Sequence, residues 1–304
     1  MPLSSTILMI RPAAFGFNEE TAANNYFQSN PGLSPEEVQR KAVAEFDNMV
    51  QTLRNHDINV LVIEDSKEPP KPDAIFPNNW LSTSPDGIVS VFPMYATNRR
   101  IEKRDEILEA IAKEFVVKDV QDWSEYEAEG RFLEGTGSMV IDYENKMIYA
   151  CVSERTSLPV LEKYAGTNNF QAIVFLATDK NGRPVYHTNV MMCVGTDLTV
   201  VCLESIRDIR VREEFLRLLG KRDIVDISLE QMGSFAGNML ELQPFGERKP
   251  LLVMSASAKK SLRQEQLRMI ESHCDIASPD LRIIEANGGG SARCMLAEIF
   301  YEEF

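Results

Sequence analysis

Cys294 ends the run Asn287-Gly288-Gly289-Gly290-Ser291-Ala292-Arg293-Cys294-Met295. Three consecutive glycines permit close backbone approaches that side chains block, so this turn can deliver one thiol to a defined point. Such a thiol is a candidate nucleophile, and it also suits a buried place in a tight turn. A thiol is mostly protonated at neutral pH and needs a base or a cation beside it. The chain offers only three histidines, His56, His187 and His273. His56 falls at the C-terminal end of an expected helix, where an imidazole can cap or be solvated, and His273 also ends a helical stretch. His187 stands in Tyr186-His187-Thr188-Asn189, a polar turn ahead of an apolar run. An imidazole used as a base needs a carboxylate to fix its tautomer. Glu134, in Leu133-Glu134-Gly135-Thr136-Gly137-Ser138, supplies one from another turn of the same kind.

These turns must be brought together, and a repeat in the chain does so. Asn79 precedes Trp80, Ser138 precedes Met139, Asn189 precedes Val190, Asn238 precedes Met239 and Cys294 precedes Met295, each at the entry to an apolar run. The intervals are about 59, 51, 49 and 56 residues, near the period of repeat architectures. After each of the first four turns the pattern reads strand, strand, helix, strand. Helices are expected at 34–53, opened by the capping box Ser34-Pro35-Glu36-Glu37, and at 99–113, 158–164, 206–219 and 258–272. Strands are expected at 7–10, 58–63, 88–92, 116–120, 139–142, 147–152, 171–176, 190–194, 199–203, 224–227, 239–242, 251–254 and 282–285. Five such units predict an α/β ring whose turns aim Cys294, His187, Glu134, Asn79, Asn189 and Asn238 at one centre.

The totals bound the reading. With 304 residues and 44% hydrophobic content the core is ample, and no linker-like stretch divides it, so residues 1–304 read as one domain. A net charge of −14 argues against nucleic acid or an anionic membrane as partner. Five cysteines without metal spacing suit a reducing compartment. No signal peptide or membrane-length apolar run is evident. The expectation is a cytoplasmic protein with no metal or cofactor; a homo-oligomer is compatible with the sequence.

The motifs around Glu134, His187 and Cys294, with Phe76-Pro77-Asn78-Asn79-Trp80 and Asn98-Arg99-Arg100, resemble those of the guanidino-group-modifying superfamily of arginine deiminases, dimethylarginine hydrolases, amidinotransferases and succinylarginine dihydrolases. They are most similar to its arginine deiminase-related, citrulline-utilisation hydrolase branch. The resemblance covers essentially the whole chain. It implies an α/β propeller of fivefold pseudosymmetry, with Cys294 as nucleophile, His187 as acid/base and Glu134 as the carboxylate orienting it.

One departure bears on the substrate. Deiminases generally carry aspartates where this chain has Asn79 and Asn189, and those carboxylates grip a guanidinium. Asparagine offers a donor and an acceptor without charge, which suits a neutral ureido group and makes citrulline the first candidate. An Asn amide could also stabilise an oxyanion at the ureido carbonyl. The alternatives are a guanidine-directed deiminase, dihydrolase or amidinotransferase, and a non-catalytic amino-acid-binding propeller, against which the intact Cys294, His187 and Glu134 argue. Asn78 and Asn238 join the expected substrate-binding set. Arg99, Arg100, Arg104 or Arg293 would hold an α-carboxylate, Arg293 alternatively favouring the thiolate. The polar loop 16–32, with Asn18, Thr21 and Asn25, is a candidate lid.

Overall fold

In the computed structural model, which describes residues 2–30 and 32–300, the repeat is visible as five three-stranded sheets. Strand β1 (Thr6–Arg11) runs parallel to β2 (Asn59–Glu64). The second sheet holds β3 (Leu81–Thr83), β4 (Ile88–Val91) and β5 (Asp119–Asp122), and the third β6 (Val140–Asp142), β7 (Met147–Cys151) and β8 (Gln171–Phe175). The fourth holds β9 (Met192–Val194), β10 (Leu198–Val201) and β11 (Asp223–Asp226), and the fifth β12 (Leu240–Leu242), β13 (Leu251–Val253) and β14 (Asp275–Ala277). Strand β15 (Ala297–Ile299) returns to pair antiparallel with β1, so the two ends of the described chain share a sheet. Every sheet follows one plan: an antiparallel pair, then a helical crossover to a parallel third strand.

The longest crossover, helix Pro35–Asn55, forms for reasons readable in its sequence. Ser34 Oγ accepts from Glu37 N at 3.3 Å and proline occupies the first turn. Val38, Ala42, Phe46, Met49, Val50 and Leu53 make one buried stripe. That stripe packs in the same core as Leu281, Ile284, Ala292 and Cys294. The helix therefore supports the floor on which the glycine turn rests.

Three expected elements differ. The stretch 99–113 is not one helix: a 3-10 turn, Thr97–Glu102, ends at extended Lys103 and Arg104, and a helix restarts at Asp105–Glu114. Arg99 and Glu102 turn inward to each other while Ile107 and Ile111 cover the sheet, two directions a straight helix cannot serve. The stretch 258–272 is likewise two helices, Ala256–Ser261 and Gln264–His273, because Leu262 is extended and Gln266 Oε1 caps Arg263 N. The expected strand at 282–285 lies inside helix Arg282–Gly288, whose first amides, Ile283 N and Ile284 N, donate to the Glu45 carboxylate. The parallel strand of that module is β14, directly after its crossover, with Ile276 opposite Leu252.

The turns ahead of the first strands converge as expected. Gly135–Ser138 packs against both Pro77–Asn79 and Thr188–Val190, and Pro77–Asn79 packs against Ala292–Met295. Thr188 Oγ1 donates to Ser138 O at 2.6 Å and accepts from Cys151 N at 2.9 Å, joining two of the turns. Since the core beneath the thiol is built on Phe46, which is fully buried, Phe46→Ala should lower the unfolding free energy by about 3–5 kcal/mol in chemical denaturation.

Candidate active site

Glu134, His187 and Cys294 lie 0%, 2% and 3% exposed. Glu134 is the residue before the one-turn helix Gly135–Ser138. Its Oε2 accepts from His187 Nε2 at 2.8 Å and lies 3.5 Å from Arg155 Nη1; its Oε1 accepts from Tyr95 N at 3.0 Å. Burial pushes this carboxyl up, but the Arg155 charge and the His187 hydrogen bond outweigh it and hold the group at about 2. His187 is pushed down to about 4, by burial first, against the opposing pull of Glu134, with Arg155 and Arg99 adding to the fall. At neutral pH the pair is a carboxylate and a neutral imidazole. The network assigns the ring hydrogen to Nε2, which faces the carboxylate, and leaves Nδ1 with a lone pair.

Cys294 sits in the 3-10 turn Ala292–Met295. Its sulfur receives Asn238 Nδ2 at 3.3 Å and Asn189 Nδ2 at 3.6 Å. Burial raises the thiol, opposed by a hydrogen bond from the Ser291 backbone, then by Asn238, the Arg293 charge and Asn189. Cys294 N donates to Ser291 O at 3.0 Å, and Ser291 Oγ donates to Glu285 at 2.6 Å. Gly289 is left-handed, with φ of +63°, and a Cβ there would lie 2.5 Å from Asn25 Nδ2, which accounts for a glycine in the turn. The structure thus gathers the catalytic candidates and the amides Asn79, Asn189 and Asn238 around one centre.

The expected carboxylate-binding arginines are otherwise engaged. Arg99 is buried and donates to Glu102 at 2.9 Å, to Asn79 Oδ1 at 2.7 Å and to the carbonyls of Asp73 and Phe76. Arg100 binds the Met94 and Tyr95 carbonyls and approaches Glu127. Arg104 pairs with Glu106 at the surface. Arg293 turns to Leu296 O at 2.7 Å and to Glu298 at 3.1 Å. Asn79 spends its carbonyl on Arg99 and its amide on Asn78 Oδ1, while Asn78 donates to Thr136 Oγ1.

Two further charged residues emerge that the sequence did not single out. Arg155, buried in the connection after β7, donates to Glu134, to Thr21 O at 3.0 Å and to Asn24 Oδ1, and stacks 4.9 Å from the Tyr186 ring. Asp73 accepts at Oδ2 from Asn18 at 2.7 Å and Thr21 at 3.3 Å, and among the described residues its buried Oδ1 has no hydrogen-bond partner. Neither belongs to a repeated turn or a glycine motif, so no spacing marks them. A signal existed only for Asp73, as an isolated acid between Pro72 and the apolar run that leads to Asn78.

The N-terminal segment closes over the centre. Beyond the contacts to Arg155 and Asp73, Asn25 donates to Gly288 O at 3.2 Å, Gln28 to Asn287 O at 2.9 Å and Ser29 N to Ala286 O at 2.6 Å. Phe27 packs on Tyr186 and Phe235. Outside it opens a cavity of about 390 Å³ lined by Asn24, Tyr26, Ser153, Arg155 and Tyr186 among others. Among the described residues no group of three or more His, Cys, Asp or Glu is placed to hold a metal, and no helix is long and apolar enough to cross a membrane.

Comparisons with known proteins agree with the fold. Solved structures superpose over nearly the whole chain. The N-terminal domain of ArgZ, an arginine dihydrolase of the cyanobacterial ornithine–ammonia cycle, in a substrate-bound cysteine-to-serine variant, matches with a TM-score of 0.72 and 17% identity, covering 97% of this chain and 98% of that one. AgrE in complex with L-arginine matches with a TM-score of 0.75 and 15% identity, over 97% of this chain and 40% of AgrE. A dimethylarginine dimethylaminohydrolase adduct with S-methyl-L-thiocitrulline matches with a TM-score of 0.67 and 14% identity, over 97% and 100%. At these identities the likeness speaks for the fold. No curated protein matches the sequence. The family described as "N,N dimethylarginine dimethylhydrolase, eukaryotic" matches residues 11–301. The chain therefore belongs to that family, within the guanidino-group-modifying superfamily.

Proposed function

We propose that this protein is a cysteine hydrolase that cuts the ureido carbon of citrulline, yielding ornithine, ammonia and carbon dioxide. The observation that carries this reading is the uncharged amide of Asn189, which faces the Cys294 sulfur at a position where deiminases generally carry an aspartate. A guanidinium calls for a carboxylate, whereas a ureido group meets amide donors and acceptors without leaving a buried charge unpaired. The five modules fit a closed propeller centred on this site.

In this mechanism Cys294 gives its proton to His187 Nδ1 and its sulfur bonds to the ureido carbon. His187 passes the proton to the terminal nitrogen, the C–N bond breaks and ammonia leaves, and an S-linked thiocarbamate of ornithine remains. Water, deprotonated by His187, then cleaves the C–S bond, and the resulting carbamate loses carbon dioxide to free the amine. Glu134 holds the imidazole in the required tautomer and stabilises the imidazolium between steps. The backbone charges of the substrate have matching poles: the unpartnered Asp73 Oδ1 for the α-ammonium and Arg155 for the α-carboxylate. Both are tied to residues 18–24, so the N-terminal segment serves as the lid over the bound amino acid.

A second reading has its own support. ArgZ is an arginine dihydrolase and was solved with its substrate, and AgrE was solved with L-arginine. A dihydrolase removes ammonia from arginine first and then passes through the same neutral ureido stage, where the amides would serve equally. Quantifying products from each amino acid separates the two. Citrulline hydrolysis gives one ammonia per ornithine. Arginine dihydrolysis gives two ammonia per ornithine from arginine. Turnover of arginine with no ornithine from citrulline would refute the first reading.

Two substitutions probe the site itself. Asn189→Asp should lower citrulline turnover about 10²-fold or more, since a carboxylate would face the sulfur and lose the amide donor; steady-state kinetics will show it. A Cβ on Gly137 would lie 2.6 Å from Asn79 Nδ2 and 2.8 Å from His187 Nδ1. Gly137→Ala should therefore reduce kcat about 10²-fold by displacing the imidazole, with circular dichroism still reporting the native fold.

A further inference from the structure

The repeat places Asn238 in the turn before β12, as one amide of several that could hold a substrate. Its surroundings assign it more narrowly. The side chain is wholly buried. Nδ2 donates to Cys294 Sγ at 3.3 Å and to Asn189 O at 2.9 Å, and Oδ1 accepts from Arg293 N at 3.0 Å. Both ends of the amide are thus spent on protein, and one lands on the reacting atom. The Asn189 amide stands farther from the sulfur, at 3.6 Å. The Arg293 guanidinium hydrogen-bonds to Leu296 O and Glu298, so it favours the thiolate through its charge and not by donating to the sulfur. The preceding turn is shaped to bring Asn238 inward: Phe235 is left-handed, with φ of +62°, and a Cβ on Gly237 would lie 2.5 Å from Val190 O.

Resting on the cysteine-hydrolase reading above, we propose that Asn238 is a catalytic residue whose amide N–H holds the Cys294 sulfur as thiolate, while its carbonyl, through Arg293 N, fixes the turn that aims the sulfur. An N–H donated to an anion is stronger than one donated to a neutral group. The contact therefore favours thiolate over thiol and lowers the pH at which the sulfur ionises. The titratable and charged groups of the surrounding turns are Arg293 beside the cysteine, Glu285 behind Ser291, Tyr186 and His187 ahead of β9, and Glu134 beyond the imidazole.

Asn238→Asp removes the donor, from the sulfur and from Asn189 O alike. The isosteric carboxylate still accepts from Arg293 N but offers no N–H to the sulfur. Thiolate is read by its absorbance at 240 nm across a pH titration, with Cys294→Ser as the baseline; burial holds the other four cysteines at about 11 to 12, so they ionise late. The midpoint in Asn238→Asp should rise by about one pH unit or more, roughly tenfold less thiolate at a given pH. kcat should fall and recover as pH is raised. An unchanged midpoint, with activity lowered equally at every pH, would show a structural role only and overturn the proposal. Because the Asp charge would itself raise the midpoint by repulsion, Asn238→Ser, uncharged and too short to reach the sulfur, must show the same rise; an unmoved midpoint in it overturns the proposal, and it serves alone should the Asp variant fail to fold. The titration uses no substrate. A shifted midpoint in a protein whose wild type turns over neither citrulline nor arginine would overturn the substrate reading alone; an unmoved midpoint in variants of an active enzyme would overturn the role of Asn238 alone.

Discussion

The buried charge on Glu134 is the constraint around which the site is built. A carboxylate taken wholly out of water is costly unless cations and donors compensate it. Here Arg155, His187 and the Tyr95 amide do so, and the group stays ionised at about 2 despite burial. Those partners come from different parts of the chain: Arg155 from the connection after β7, His187 from the turn before β9, Tyr95 from the segment after β4. Neutralising one carboxylate thus locks the second and third modules to the turn of the fourth. It also fixes the imidazole hydrogen on Nε2, which leaves the ring's lone pair on Nδ1.

The same reasoning separates Arg99 from Arg155. Arg99 is surrounded by Glu102, Asp73, Asn79 and two carbonyls, so its charge and donors are consumed in place. Burial raises Glu102 to about 7, with Asp73 adding to the rise and Arg99 opposing it. That cluster stiffens the turn bearing Asn78 and Asn79. Arg155 instead shares its donors between Glu134 and the N-terminal segment, so part of its environment belongs to a covering loop rather than to the module core.

Much of this was legible in the sequence because turns of small polar residues at a near-constant period can do little but feed strands. The spacing of Asn79, Ser138, Asn189, Asn238 and Cys294 therefore gave the module count and the convergence of the candidate residues. What it could not give was direction within an element. Arg99 has the composition of a solvated helix start, yet Glu102 three residues on draws it inward. Residues 282–285 carry the β-branched pair Ile283-Ile284 that suits a short strand, yet Glu45, 238 residues away from Ile283, supplies the acceptor that starts a helix there. Arg155 and Asp73 matter through contacts with residues 18–24, long-range pairings that no local pattern encodes.

The covering segment gives these separate facts a common consequence. Thr21 and Asn24 bind Arg155, Asn18 and Thr21 bind Asp73, and Asn25 and Gln28 bind the carbonyls of the glycine turn. Residues 18–28 therefore contact the supports of both His187 and Cys294. A site this buried excludes bulk water, which strengthens each electrostatic contact inside it and makes the choice of amide over carboxylate beside the sulfur more consequential than it would be at a surface. With the segment displaced, Arg155 would lose two of its acceptors, Asp73 two of its donors, and the Glu134 carboxylate would meet water. Under the proposed lid role the segment would leave for an amino acid to enter, and its return would restore the dry, fully paired environment in which a neutral imidazole and an amide-held sulfur exchange a proton.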